Sequence, residues 1–159
     1  MTGRAFLRVI TGGLMGTSPK HDRGAPQNRT HCVIIVDDDP VSVALFTKAV
    51  NKVGVDVSVH GFSNPAEALA FTRRERPALA IVDVHFDRGE INGLELIQHI
   101  RAQAPDAPPF QTILISADKD PEIGRQAAAL DVQVVIHKAI NAAAMMELAR
   151  ALLELPPRK

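Results

Sequence analysis

Tryptophan and tyrosine are absent from this chain of 159 residues, cysteine occurs once, and aromatic residues make up 4%. A single cysteine, Cys32, excludes an internal disulfide and fits a reducing compartment, so a cytoplasmic location is expected. Placed at the start of an apolar run, Cys32 reads as a small buried apolar group rather than a reactive thiol. The missing Trp and Tyr, with basic residues scattered through the body, leave no stacking and phosphate-tracking surface, so no nucleic-acid partner is expected. No run approaches the ~18–20 apolar residues that span a bilayer, which argues against membrane insertion. Charge of one sign is lacking as well: Lys+Arg and Asp+Glu are both 18. That balance conceals an asymmetry. Residues 1–31 carry five basic side chains against one acidic, whereas residues 32–159 carry 13 basic and 17 acidic.

Residues 1–31 are expected to be a disordered basic tail, or to lie partly upstream of the true start, with Met15 as one candidate. The first apolar stretch is broken by Arg8 and followed by Gly12-Gly13, which argues against a secretory signal. Residues 17–31, polar with Pro and Gly, read as linker. The remainder, 32–156, reads as one domain, with 157–159 as a short C-terminal tail.

Hydrophobic residues make up 46% of the chain, enough for a globular core. Four apolar runs each stop at a reactive side chain. Val33–Val36 ends at Asp37-Asp38-Asp39, Leu79–Val82 at Asp83, Ile113–Ile115 at Ser116, and Val134–His137 at Lys138. Strands buried on both faces of a parallel sheet read as continuous apolar runs, and ligands bind beyond their carboxyl ends. Carboxylates, a hydroxyl and an ammonium are therefore expected to meet in one crevice, a set that suits a divalent cation and a phosphoryl group.

Strand and helix signals alternate five times from Cys32 onward. The expected strands are 33–36, 55–60, 79–82, 112–115 and 132–137. The first helix is expected from Pro40 to Val53, with Val43, Phe46, Val50 and Val53 on one face. The second starts with Asn64 as N-cap, Pro65 in the first turn and Glu67 three residues after the cap, and ends before Pro77. The third follows Gly93 with Leu96, Ile97 and Ile100 facing inward. The fourth, Pro121 to Leu130, has little apolar bulk, and the fifth, Asn141 to Leu153, buries Met145, Leu148, Ala149 and Leu152. Short connections between alternating elements imply an α/β fold with a parallel sheet.

Five segments, in order, carry a resemblance: Val-Asp-Asp-Asp-Pro (36–40), Ile-Val-Asp (81–83), Asn-Gly-Leu-Glu-Leu (92–96), Ile-Leu-Ile-Ser-Ala (113–117) and His-Lys (137–138). The stretch from Val33 to Leu155 resembles the receiver domain of two-component response regulators, of the single-domain chemotaxis-regulator kind. The resemblance implies a doubly wound, flavodoxin-like (βα)5 fold with strand order 2-1-3-4-5. It implies that Asp83 accepts a phosphoryl group and that Ser116 and Lys138 contact that group. It also implies a Mg2+ ion held by Asp37, Asp38, Asp83 and the main-chain carbonyl of His85. His85 and Asp118, two positions after the acceptor and the hydroxyl residue, would tune dephosphorylation. Expected partners are a sensor histidine kinase or histidine phosphotransfer protein, and a downstream protein that reads the face of helix 4, strand 5 and helix 5. Homodimerisation on phosphorylation is a further option. The chain would act as a stand-alone receiver and not as an enzyme on a separate substrate.

Plainer roles exist for the same residues. Acids favour helix N-termini, a role that suits Asp39 before Pro40; Ser116 reads equally as a strand-end cap, Lys138 as a solvated loop lysine and His85 as a loop histidine. His60, His99 and His137 do not fall at metal-ligand spacing and read as surface or strand-end residues. The sequence departs from the family in three places. Ala139 stands where proline usually follows the lysine; since a non-proline cis bond costs about 2.5–4 kcal/mol, a trans peptide is expected. Val135 replaces an aromatic. The loop Val84–Asn92 is two residues longer than the family's pattern and lacks its Met-Pro pair, which suggests a role in partner choice or acyl-phosphate lifetime. Two rival functions are a haloacid-dehalogenase-like phosphatase with Asp37 as nucleophile, and a receiver-like scaffold that is never phosphorylated.

Overall fold

The computed structural model describes residues 30–87 and 91–155. Apart from Thr30 and His31, the expected N-terminal tail lies outside the described residues, as do 157–159. Ten elements alternate: β1 (His31–Val36), α1 (Pro40–Val50), β2 (Val57–Phe62), α2 (Pro65–Thr72), β3 (Leu79–Asp83), α3 (Gly93–Ala102), β4 (Gln111–Ser116), α4 (Pro121–Ala129), β5 (Val134–His137) and α5 (Ala142–Leu152). The sheet has five strands in the order β2-β1-β3-β4-β5, all pairs parallel. This is the expected doubly wound, flavodoxin-like order.

Successive strand residues face opposite sides of a sheet, so each buried strand supplies two cores. Ile34, Val36, Ala80, Val82 and Leu114 pack with Leu96, Ile97 and Ile100 of α3 and Ile123 and Ala127 of α4. Val33, Ile35, Leu79, Ile81, Ile113 and Ile115 pack with Phe46 and Val50 of α1 and Met145 and Ala149 of α5. Continuous apolar runs in β1, β3 and β4 follow directly from this two-sided burial.

Several expected boundaries move. β1 takes in His31, whose N–H donates to the carbonyl of Asp56 at 2.7 Å. α1 stops at Val50, and Val53 reaches the core from the turn beyond it. β2 begins two residues later than the Val alternation predicts, because its register against β1 starts at His31–Val57 and leaves Val55 96% exposed. β5 begins at Val134, and its apolar run does not reflect burial on both faces: it is a sheet edge, with Val135 41% exposed. In α5, Met145 and Ala149 are buried whereas Leu148 and Leu152 are half-buried. No cis peptide bond occurs among the described residues, so the Lys138–Ala139 bond is trans as expected.

Candidate functional site

Parallel strands end on one rim, and the central ends carry the reactive side chains. Asp37 follows β1, its N–H held by the Phe62 carbonyl at the end of β2 at 3.2 Å. Asp83 is the last residue of β3, and Ser116 the last of β4. The N–H of Val84 donates to the Ile115 carbonyl, and the N–H of Lys138 to the Ser116 carbonyl, both at 2.8 Å. These backbone bonds extend the ladder one residue past the strands and set Lys138 beside the acidic groups.

The ammonium of Lys138 lies 2.7 Å from Asp83 Oδ2, and 3.3 and 3.2 Å from the two oxygens of Asp37. Both carboxylates are buried, Asp37 with its side chain only 1% exposed. Asp37 Oδ1 also accepts from the N–H of Asp39 at 2.9 Å. Its Oδ2, by contrast, is buried with no hydrogen bond, since the Lys138 ammonium nearby lacks the required geometry. Oxygens of Asp37, Asp38 and Asp83 lie within 4.8 Å of one another. An orphaned buried oxygen within a three-carboxylate set fits an oxygen-preferring divalent cation.

The electrostatics follow from burial. Desolvation raises the pKa of Asp37, the Asp39 N–H and Lys138 oppose that rise, and the charge of Asp83 adds to it. Burial alone would depress Lys138; the hydrogen bond to Asp83 and the charges of Asp37 and Asp83 outweigh it and hold the ammonium above the ordinary lysine value.

The outer residues are tied in loop by loop. Asp38 Oδ2 accepts from the N–H of Asp87 at 2.6 Å, which anchors the loop after β3 to the end of β1. Arg88, Gly89 and Glu90 of that loop lie outside the described residues. His85 Nε2 sits 3.1 Å from Asp118 Oδ2, so the two residues expected to tune dephosphorylation touch each other. Both are more than half exposed, so this pair contributes about 0–1 kcal/mol. Ser116 Oγ accepts from the N–H of Asp118 at 3.0 Å, which is the capping role its residue type allows. Asp39 turns away from the metal set and caps α1, accepting from the N–H groups of Val41 and Ser42.

Two features escaped the sequence reading. A Cβ on Gly93 would clash with the carbonyl oxygen of Asp83, so β3 and α3 require a glycine there for close approach. Only the position of Gly93 at a helix start hinted at this. Asn92 and Glu95 form a capping box, each side chain accepting from the other's backbone N–H. Their three-residue spacing is a legible signal for it.

Comparison with known proteins agrees with this geometry. The family model described as "Response regulator receiver domain" matches residues 33–150. The probable transcriptional regulatory protein TcrX of Mycobacterium tuberculosis is 28% identical over 88 residues, covering 55% of this chain and 34% of that protein. The methanol utilization control regulatory protein MoxX of Paracoccus denitrificans is 29% identical over 106 residues, covering 67% and 46%. This chain thus matches less than half the length of either relative. A response regulator structure from Thermotoga maritima superposes with a TM-score of 0.65 at 27% identity, covering 79% of this chain and 98% of that one. No described helix is long and apolar enough to cross a membrane. With most of its length matched, the chain belongs to the response regulator receiver family.

Proposed function

We propose that this receiver takes a phosphoryl group onto Asp83 from the phosphohistidine of a sensor histidine kinase or histidine phosphotransfer protein, in a Mg2+-dependent reaction. The observation that carries this reading is the Lys138 ammonium, 2.7 Å from a buried Asp83 oxygen and in contact with a second buried carboxylate. A carboxylate oxygen of Asp83 attacks phosphorus in line, the bond to the donor nitrogen breaks, and an acyl phosphate forms. Lys138 offers a point charge to the transferred oxygens. Ser116 Oγ accepts from Asp118, so its own proton remains available to donate to a phosphoryl oxygen. Mg2+, held by Asp37, Asp38, Asp83 and the main-chain carbonyl of His85, would neutralise charge on the phosphoryl group.

The chain acts on itself alone: it catalyses its own phosphorylation and dephosphorylation. His85 and Asp118, joined across the crevice, tune the second step. Movement of Ser116 and Lys138 toward the phosphate biases the face of α4, β5 and α5, a two-state shift read by a downstream protein or by a second copy of the chain. The lone buried cysteine supports a cytoplasmic setting.

Labelling with acetyl phosphate and Mg2+ tests this assignment against an Asp37 nucleophile. Asp83→Asn is expected to abolish incorporation, while Asp37→Asn only raises the Mg2+ concentration that incorporation requires. Labelling that survives Asp83→Asn and disappears in Asp37→Asn would establish the phosphatase chemistry instead.

A further inference from the structure

The edge of the sheet carries a second group of potential ligands, away from the acidic rim. Cys32 lies near the start of β1, His60 within β2, and Glu75 just beyond α2. The parallel register pairs Cys32 with Ser58 and Ile34 with His60, so Cys32, Ser58 and His60 share the sheet face covered by α2. One ligand atom from each of Cys32, His60 and Glu75 lies within 4.8 Å of the other two. The residues grade outward: Cys32 is buried, His60 half-buried and Glu75 exposed, which leaves a path from solvent. The His60 ring packs on Phe71 of α2 with centroids 4.5 Å apart, which restrains its plane. Ser58 Oγ, on the same face beside Cys32, is buried without a hydrogen-bond partner.

We propose that Cys32, His60 and Glu75 form a binding site for a thiophilic divalent metal, Zn2+ in the first instance, separate from the carboxylate site. Thiolate and imidazole donors select against Mg2+ and for Zn2+, which takes Cys, His and carboxylate ligands. Three protein ligands leave one tetrahedral position for water. Burial, then the neighbouring Glu75 carboxylate, pushes the Cys32 thiol up to about 12, so the metal-free group carries its proton. Metal binding therefore displaces one proton: the S–H bond breaks, the S–Zn bond forms and H+ leaves to solvent. The bound ion would tie the end of α2 to the β1–β2 edge, stiffening that side of the sheet without entering the phosphoryl chemistry.

The test titrates the full chain with Co2+, then Zn2+, under saturating Mg2+ and a non-thiol reductant. One Co2+ per chain is expected, with a thiolate-to-cobalt charge-transfer band that Zn2+ removes, and Zn2+ should raise Tm by several degrees. Cys32→Ser should lose the band. His60→Gln and Glu75→Gln, at half-buried and exposed positions, keep the test open if the cysteine variant misfolds; each should weaken Co2+ binding tenfold or more. Absence of the band, or a band and affinity unchanged in both of those variants, would overturn the site.

Discussion

Burial holds the carboxyl of Asp37 above the usual carboxylate range; the neighbouring Asp83 reinforces that rise, and Lys138 and the Asp39 N–H only partly offset it. A carboxyl whose folded pKa is raised contributes its full stability below the unfolded value, about 3.9, and loses it as pH rises through the folded value. The metal-free protein is therefore expected to weaken as Asp37 ionises. Asp37→Asn should flatten that part of the pH–stability curve and raise Tm near neutral pH without metal. Mg2+ should raise Tm more in the unsubstituted protein than in the variant. Thermal melts at several pH values with and without Mg2+ check both statements; a variant that melts lower at neutral pH and responds equally to Mg2+ would contradict them. Lys138 titrates in the opposite regime. Its folded pKa is raised, so its contribution is complete below the ordinary lysine value of about 10.4 and is lost only as pH climbs through the higher folded value. Gly93 makes a steric prediction at the same scale. Gly93→Ala forces a methyl against the Asp83 carbonyl, a backbone atom that cannot swing aside. The expected cost is about 1–3 kcal/mol in urea unfolding, with slower phosphorylation as the acceptor shifts. Unchanged stability would show that α3 can back away freely.

Elements place these residues, and here the sequence was legible in uneven measure. β1, β3 and β4 announce themselves because burial on both faces demands continuous apolar runs, Val33–Val36, Leu79–Val82 and Ile113–Ile115. Their last residues then identify the rim. The edge strands are harder. Alternating Val55, Val57 and Val59 shows that a strand exists but not where pairing begins, which depends on β1. Val134–Ile136 looks like a central strand in sequence, yet β5 has a neighbour on one side only. Local chemistry also limits what sequence can say about the site. That Asp38 holds the Asp87 N–H, or that His85 meets Asp118, depends on loop paths between distant strands. His60 read as an isolated histidine because its neighbours, Cys32 and Glu75, come from other elements. The α3 cap was within reach: Asn92 and Glu95 stand at capping-box spacing just before an apolar helix face. Asn92→Ala should cost about 0.5–2 kcal/mol in chemical unfolding, and replacement by Ser or Asp should recover most of it. No loss in the Ala variant would mean that packing of Leu96, Ile97 and Ile100 alone fixes the helix start.

At the scale of the whole molecule, a three-layered α/β/α sandwich supplies a stiff platform whose carboxyl rim gathers reactive side chains from four separate strand ends. Rigidity matters because like-charged carboxylates repel unless a cation or an ammonium intervenes. The central strands hold Asp37 and Asp83 against that repulsion, and Lys138, delivered by the edge of the sheet, offsets part of it. β5, with no fully buried residue and with Val135 exposed, has little packing to resist movement. Mapping the modified peptide by mass spectrometry after exposure to acetyl phosphate and Mg2+ tests the central claim most directly. One phosphoryl group on Asp83, absent when Mg2+ is removed, is the predicted result; modification at any other residue, or none with Mg2+ present, would contradict it.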